Sequence, residues 1–257
     1  MKKRNILLVC IVLTLIIITV GIVYWVMSAI DVSDYHVLDY NIVWEECKKT
    51  EIDCRILPNV QVYYKIKNVP ADEYIACKYR YNGVGADKVP RVLVHKDVDP
   101  SFKLDISSAG LFFGRLNGAN FSDEDWLLYG KRIQESEILK IDEAVAKELA
   151  DCITAENREY INTEDYEDWW QCKDYVYDSD KNVLMIQYPL EKYSELLWMA
   201  NIVHYKDDYY IELKDGSGSY GNVYGRQYMH CPEELAVFIE QIVSTNGSSN
   251  PQSLPEQ

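Results

Sequence analysis

The chain has 257 residues, with 41 Asp or Glu against 26 Lys or Arg, a formal charge of −15. The only charges before Asp31 are Lys2, Lys3 and Arg4, so the remainder carries 23 basic and 41 acidic groups, or −18. A surface that acidic repels phosphate backbones, which excludes nucleic acid as a partner.

The first element in chain order is an apolar run from Ile6 to Ile30, broken only by Thr14, Thr19, Gly21 and Ser28. As a helix it spans about 37 Å, enough to cross a hydrocarbon core of about 30 Å. Tyr24 and Trp25 stand near its end, where aromatic rings favour the membrane interface. Lys2, Lys3 and Arg4 precede it, and five acids with no Lys or Arg lie between Asp31 and Cys47. The positive-inside rule then predicts a single-pass signal-anchor with the N-terminus in the cytoplasm and the rest outside the cell membrane. A cleaved signal peptide fits less well. The apolar core is too long for one, and a cut after Ala29 would put Met27 where a small residue belongs.

The organisation expected is a cytoplasmic stub and transmembrane helix over 1–30, an α+β extracytoplasmic domain over 31–243, and a disordered tail over 244–257. The domain divides into two lobes at about residue 120, if it divides at all. Tyr40 to Glu51 reads as strand or short helix. Val60 to Ile66 and Tyr74 to Tyr81 alternate with the period of half-buried strands. Arg91 to His95, Phe102 to Ile106 and Leu111 to Leu116 read as further strands. Lys131 to Lys140 is ambiguous. Asp142 to Ile153 is helical, with Ile141, Val145, Leu149 and Cys152 on one face and Asp142 as N-cap. Strands are predicted over Val183 to Tyr188, Leu196 to Tyr205, Tyr209 to Leu213 and Val223 to His230, with a turn at Lys206 to Asp208. Pro232, Glu233 and Glu234 open an amphipathic C-terminal helix whose stripe of Leu235, Phe238, Ile239 and Ile242 packs on the sheet.

Six cysteines follow the apolar run: Cys47, Cys54, Cys77, Cys152, Cys172 and Cys231. In an oxidising compartment an even number predicts disulfides. Sequence alone leaves fifteen pairings open; Cys47 with Cys54 and Cys152 with Cys172 are the local pairs, which leaves Cys77 with Cys231.

Residues 156–180 hold nine acids and two basic residues around Trp169 and Trp170. Glu167 or Asp168 beside Trp169 and Trp170 is the candidate ligand-binding group: carboxylates for chemistry, aromatic faces for stacking on sugar. Asp178, Asp180 and Asn182 have the spacing of the first ligands of a calcium loop, but Val183 and Pro189 stand where that loop needs Gly and Glu. Gly216, Gly218 and Gly221 match a dinucleotide fingerprint in letters only, since strand residues follow where a helix must. His36, His95, His204 and His230 lack metal-ligand spacing. Asn120 and Asn246 open glycosylation sequons. Tyrosine is abundant, 21 residues against five Phe, and concentrates in predicted strands, where it offers amphipathic contact area. No catalytic group stands at a diagnostic spacing, and no motif requires a cofactor. These features favour a non-enzymatic binding or accessory role at the cell surface, with a protein or glycan partner and the membrane engaged through residues 6–30. The alternative is a tethered hydrolase of envelope or extracellular glycan.

Overall fold

The computed structural model describes residues 13–20, 31–52, 61–79, 91–115, 125–154, 174–214 and 226–245. Its architecture is mixed α+β, with two antiparallel sheets. Residues 13–20 are helical, with aliphatic side chains exposed. Among the described residues no helix is long and apolar enough to cross a membrane.

The described residues form thirteen strands in chain order: β1 (Tyr35–Val37), β2 (Ile42–Trp44), β3 (Cys47–Glu51), β4 (Gln61–Ile66), β5 (Tyr74–Tyr79), β6 (Arg91–His95), β7 (Gly110–Gly114), β8 (Leu139–Lys140), β9 (Asp174–Tyr175), β10 (Val183–Pro189), β11 (Leu196–Tyr205), β12 (Asp208–Lys214) and β13 (Arg226–His230). The small sheet runs β1-β6-β5-β4-β3. The large one runs β13-β12-β11-β10-β7-β8, and β2 and β9 also pair with β11. One core runs through both sheets, taking Ile66, Ala76 and Val92 from the small sheet and Phe112, Ile186 and Trp198 from the large one.

The predicted half-buried strands of the small sheet are apolar on both faces. Val62, Tyr64 and Ile66 face the shared core, while Tyr63, Ile75, Cys77 and Leu93 pack in a second cluster with Val32. Phe102 to Ile106, predicted as a strand, makes only an isolated bridge from Leu104 to Leu190. Asp105 then turns the chain into a 3-10 helix, Ile106–Ser108, by accepting from the Ser107 N–H at 3.0 Å. A short side chain that bonds the backbone two residues on competes with the ladder, which is why strand propensity loses here.

The Glu143–Thr154 helix forms where expected, and Asp142 caps it by accepting from Ala144 N–H at 2.9 Å. Its buried face is Ala146, Leu149, Ala150 and Ile153, about one position round from the predicted stripe, and Cys152 is exposed. The Tyr188 hydroxyl donates to the Ala146 carbonyl at 3.0 Å, a close approach that two alanines permit. The C-terminal helix, Glu233–Thr245, buries Leu235, Ile239 and Ile242, with Phe238 packed at the margin. It continues through Ser244 and Thr245, past the expected start of the tail, and the rest of that tail lies outside the described residues.

Between β2 and β12 the edge of β11 is completed by a side chain. Asn41, 2 % exposed, donates through Nδ2 to the Met199 carbonyl (2.9 Å), accepts the Lys214 N–H on Oδ1 (2.9 Å), and accepts the Met199 N–H on its own carbonyl. The amide thus takes the place of a strand across the gap. Next to it, Gly130 lies against the Trp44 carbonyl and the Glu45 backbone, where a Cβ would crowd both.

Polar clasps join the sheets at one end. Glu73, just before β5, accepts from Lys192 and from the Tyr193 hydroxyl in the β10–β11 turn. Asn68 donates to Glu195 at 2.9 Å, and Glu46 receives both Lys67 and Lys131. The Lys192 hydrogen bond holds the Glu73 carboxyl below its ordinary value of 4.5. A depressed carboxyl stabilises the fold above its unfolded value and loses that contribution as pH falls through the folded one. The Lys192→Met variant is therefore expected to melt slightly below wild type at pH 7. The two melting curves should converge at an acid pH well below 4.5, where the carboxyl is protonated in both. Thermal denaturation at both pH values checks this.

The expected disulfides are corrected in part. Cys47, Cys77, Cys152 and Cys231 form no disulfide among the described residues. Cys77 and Cys231 cannot form the long-range bridge, because Cys77 belongs to the outer cluster of the small sheet and Cys231 to the shared core. Cys54 and Cys172, the local partners proposed for Cys47 and Cys152, lie outside the described residues. Burial pushes the Cys47 and Cys231 thiols well up, and burial with Glu148 and Asp151 raises Cys152 more modestly. Brief alkylation of the native protein, read by peptide mapping, is expected to label exposed Cys152 well ahead of Cys47, Cys77 and Cys231.

Candidate functional site: the tyrosine-bearing end of the large sheet

Side chains alternate across a sheet, so β11, β12 and β13 each present two faces. Ile202, Ile211 and Met229 point into the shared core. The residues between them, Asn201, Val203, Tyr205, Tyr210, Glu212 and Tyr228, fall on the opposite face. Register aligns Asn201, Glu212 and Tyr228 in one row across the three strands, and Val203, Tyr210 and His230 in the next. On the other side of β11, β9 brings Tyr175 opposite Val203. Val203, Tyr205 and Tyr228 form a separate cluster, with Tyr175 and Tyr210 packed against it.

Glu212 sits at its centre, 2 % exposed. Its Oε2 accepts from Asn201 Nδ2 at 2.7 Å, its Oε1 from the Tyr228 hydroxyl at 3.1 Å, and both oxygens face the Tyr175 hydroxyl at 3.1 and 3.2 Å. A buried carboxylate costs several kcal/mol of desolvation unless donors surround it, and here three side chains on three strands do so. With its oxygens engaged in this way, Glu212 organises the tyrosines and is poorly placed to act as a general acid or base.

The rim of the cluster is aromatic. Tyr175 meets Tyr177 edge to face at 6.2 Å between ring centres, Tyr205 meets Tyr210 at 6.4 Å, and Tyr210 meets His230 at 5.0 Å. In the β11–β12 turn Lys206 takes a left-handed φ of 55°, and its ammonium lies 4.7 Å from the centre of the Tyr205 ring. Tyr177 is 39 % exposed. Burial, then Asp174 and Glu212, raises its phenol, and burial, then Asp208, raises that of Tyr210. Both stay protonated at neutral pH, as contact groups that donate and accept hydrogen bonds rather than as nucleophiles.

The acids weighed as calcium ligands make a turn instead. Asp178 Oδ1 accepts the Asp180 and Asn182 N–H groups at 2.9 and 2.8 Å, its Oδ2 accepts Asn182 Nδ2, and Lys181 adopts a φ of 63°. Among the described residues no cluster of His, Cys, Asp or Glu could hold a metal ion. His95, His204 and His230 stand at or near strand ends, as expected, against Tyr35, Tyr209 and Tyr210 respectively. Glu167, Asp168, Trp169 and Trp170 lie outside the described residues, as do the glycine loop at 216–221 and both sequons.

No protein-family model, curated protein or solved structure matches this chain. Its chemistry is therefore legible only from its own residues. Sequence reasoning passed over Glu212, although a signal existed: one acid at an alternating position of the apolar strand Tyr209 to Leu213, with tyrosines on the flanking strands.

Proposed function

We propose that this chain is a single-pass membrane protein whose acidic domain, outside the cell, binds a partner through the tyrosine-bearing end of its large sheet. The observation that carries the binding reading is the Glu212-centred cluster. Fixing phenols in place before a partner arrives lowers the entropy lost on contact, and Tyr is among the residues enriched at interfaces. The membrane reading rests on the apolar run 6–30, the basic residues before it and the acids after it. The Glu212 carboxyl, buried with its oxygens already engaged, supports a non-enzymatic accessory role over catalysis at this site. The partner is a protein or glycan at the cell surface, and no cofactor is invoked.

The test is recovery of partners by crosslinking from native membranes, comparing wild type with Tyr177→Ala. A partner retained by wild type and lost from the variant supports the reading. Equal recovery of every protein by both overturns the choice of surface. Protease added to intact cells should digest the domain, and its survival would overturn the topology.

A further inference from the structure

We infer that the domain stands on the bilayer on the end where the two sheets are clasped, with the tyrosine-bearing tip of β11 and β12 held outward. This rests on the membrane reading above and adds which surface faces lipid.

The tether is short. The domain's described residues resume directly after the apolar run: Asp31 caps the 3-10 helix Val32–Asp34 by accepting from Ser33 N–H at 3.1 Å and Ser33 Oγ at 2.7 Å. Val32 is buried in the outer cluster of the small sheet, so this segment belongs to the domain. If Trp25 marks the interface, the six residue steps to Asp31 reach at most about 20 Å. A domain of about 200 residues has a radius of gyration of about 17 Å, so a tether of that length keeps the attached end close to the headgroups.

Direct contacts define that end. Asp34 pairs with Lys96 at 2.7 Å, and its carbonyl accepts the Lys96 N–H at 2.8 Å. The Tyr35 hydroxyl donates to the Ala71 carbonyl at 2.7 Å, and the His95 N–H to the Glu73 carbonyl at 2.8 Å. Glu73 holds Lys192 and Tyr193, and the Tyr193 carbonyl accepts the N–H of Leu196, the first residue of β11. From Leu196 the strand runs without a break to Tyr205. Nine strand steps cover about 30 Å, which separates the clasped end from the tip. Charge favours a pose that keeps the bulk of the domain away from lipid, since a domain of −18 (23 basic against 41 acidic residues) is repelled by an anionic headgroup layer.

The experiment places a fluorescent noncanonical residue at Asp97 or at Asp207, both exposed turn positions, in the full-length protein. The protein is reconstituted in phosphatidylcholine–phosphatidylglycerol vesicles carrying a headgroup-linked acceptor. The expected result is energy transfer at least about fivefold stronger from position 97 than from position 207, given the roughly 30 Å that β11 spans between the clasped end and the tip. A Gly/Ser insertion of about twelve residues between Ile30 and Asp31 should shrink that ratio by lengthening the tether. Equal transfer from both positions without the insertion, or stronger transfer from 207, overturns the upright pose. Protein that fails to float with the vesicles overturns the membrane reading itself.

Discussion

Replacing Glu212 with Leu is expected to lower the melting temperature of the protein by about 10 °C. The carboxylate accepts from Asn201, Tyr175 and Tyr228 on three neighbouring strands while 2 % exposed. Leucine fills similar volume but removes the acceptor, so an amide and two hydroxyls lose their partner together. A buried donor left unsatisfied costs about 1–3 kcal/mol, and three such losses do not add fully, so a loss of about 4 kcal/mol is the expected scale. At about 2–4 °C per kcal/mol for a domain of this size, the shift is large enough to read by circular dichroism. Glu212→Gln keeps one carbonyl acceptor and should lose about half as much. A Leu variant that melts with wild type would show that the tyrosines are held by packing alone, and would remove the pre-organisation on which the binding reading depends.

Trp198 should separate volume from polarity. It is fully buried and meets Tyr188 edge to face at 6.1 Å, yet among the described residues its indole N–H has no hydrogen-bond partner. Trp198→Ala removes the largest buried side chain of β11, and a loss of about 3–5 kcal/mol is expected. Trp198→Phe loses some volume but also removes the unsatisfied donor, whose burial costs about 1–3 kcal/mol. The two effects oppose, so the Phe variant should fall within about 1 kcal/mol of wild type. Urea denaturation of both variants measures the contrast. A Phe variant as unstable as Ala would mean that the indole N–H has a partner in solution.

Local pattern identified most of the strands. Gln61 to Ile66, Val183 to Pro189, Leu196 to Tyr205 and Asp208 to Lys214 lie within a residue or two of where alternation and turn residues put them. The C-terminal helix was legible in the same way, because capping acids and a 3.6-residue stripe are local signals. The failures share one cause. Tyr63 and Ile75 appeared to face solvent or a single core, yet each is buried in a second cluster on the outer face of the small sheet. Helix 143–154 turned its alanines inward because Ala146 meets Tyr188, a contact 42 residues away in sequence. The Glu212 site is the strongest case, since its three donors come from Tyr175, Asn201 and Tyr228, spread over more than 50 residues.

By itself the sequence determined the acidic charge, the apolar run 6–30 before the first acid, the α+β class and the sheet-covering C-terminal helix, all of which depend on residue type and near-neighbour spacing. Tertiary structure decided that β2 leaves the small sheet to pair with β11, that Asn41 closes the gap beside it, that Cys77 and Cys231 occupy different cores, and that tyrosines from β9, β11, β12 and β13 gather around one carboxylate. These depend on strand register between distant segments, which is set by the joint burial of many side chains and leaves no local trace.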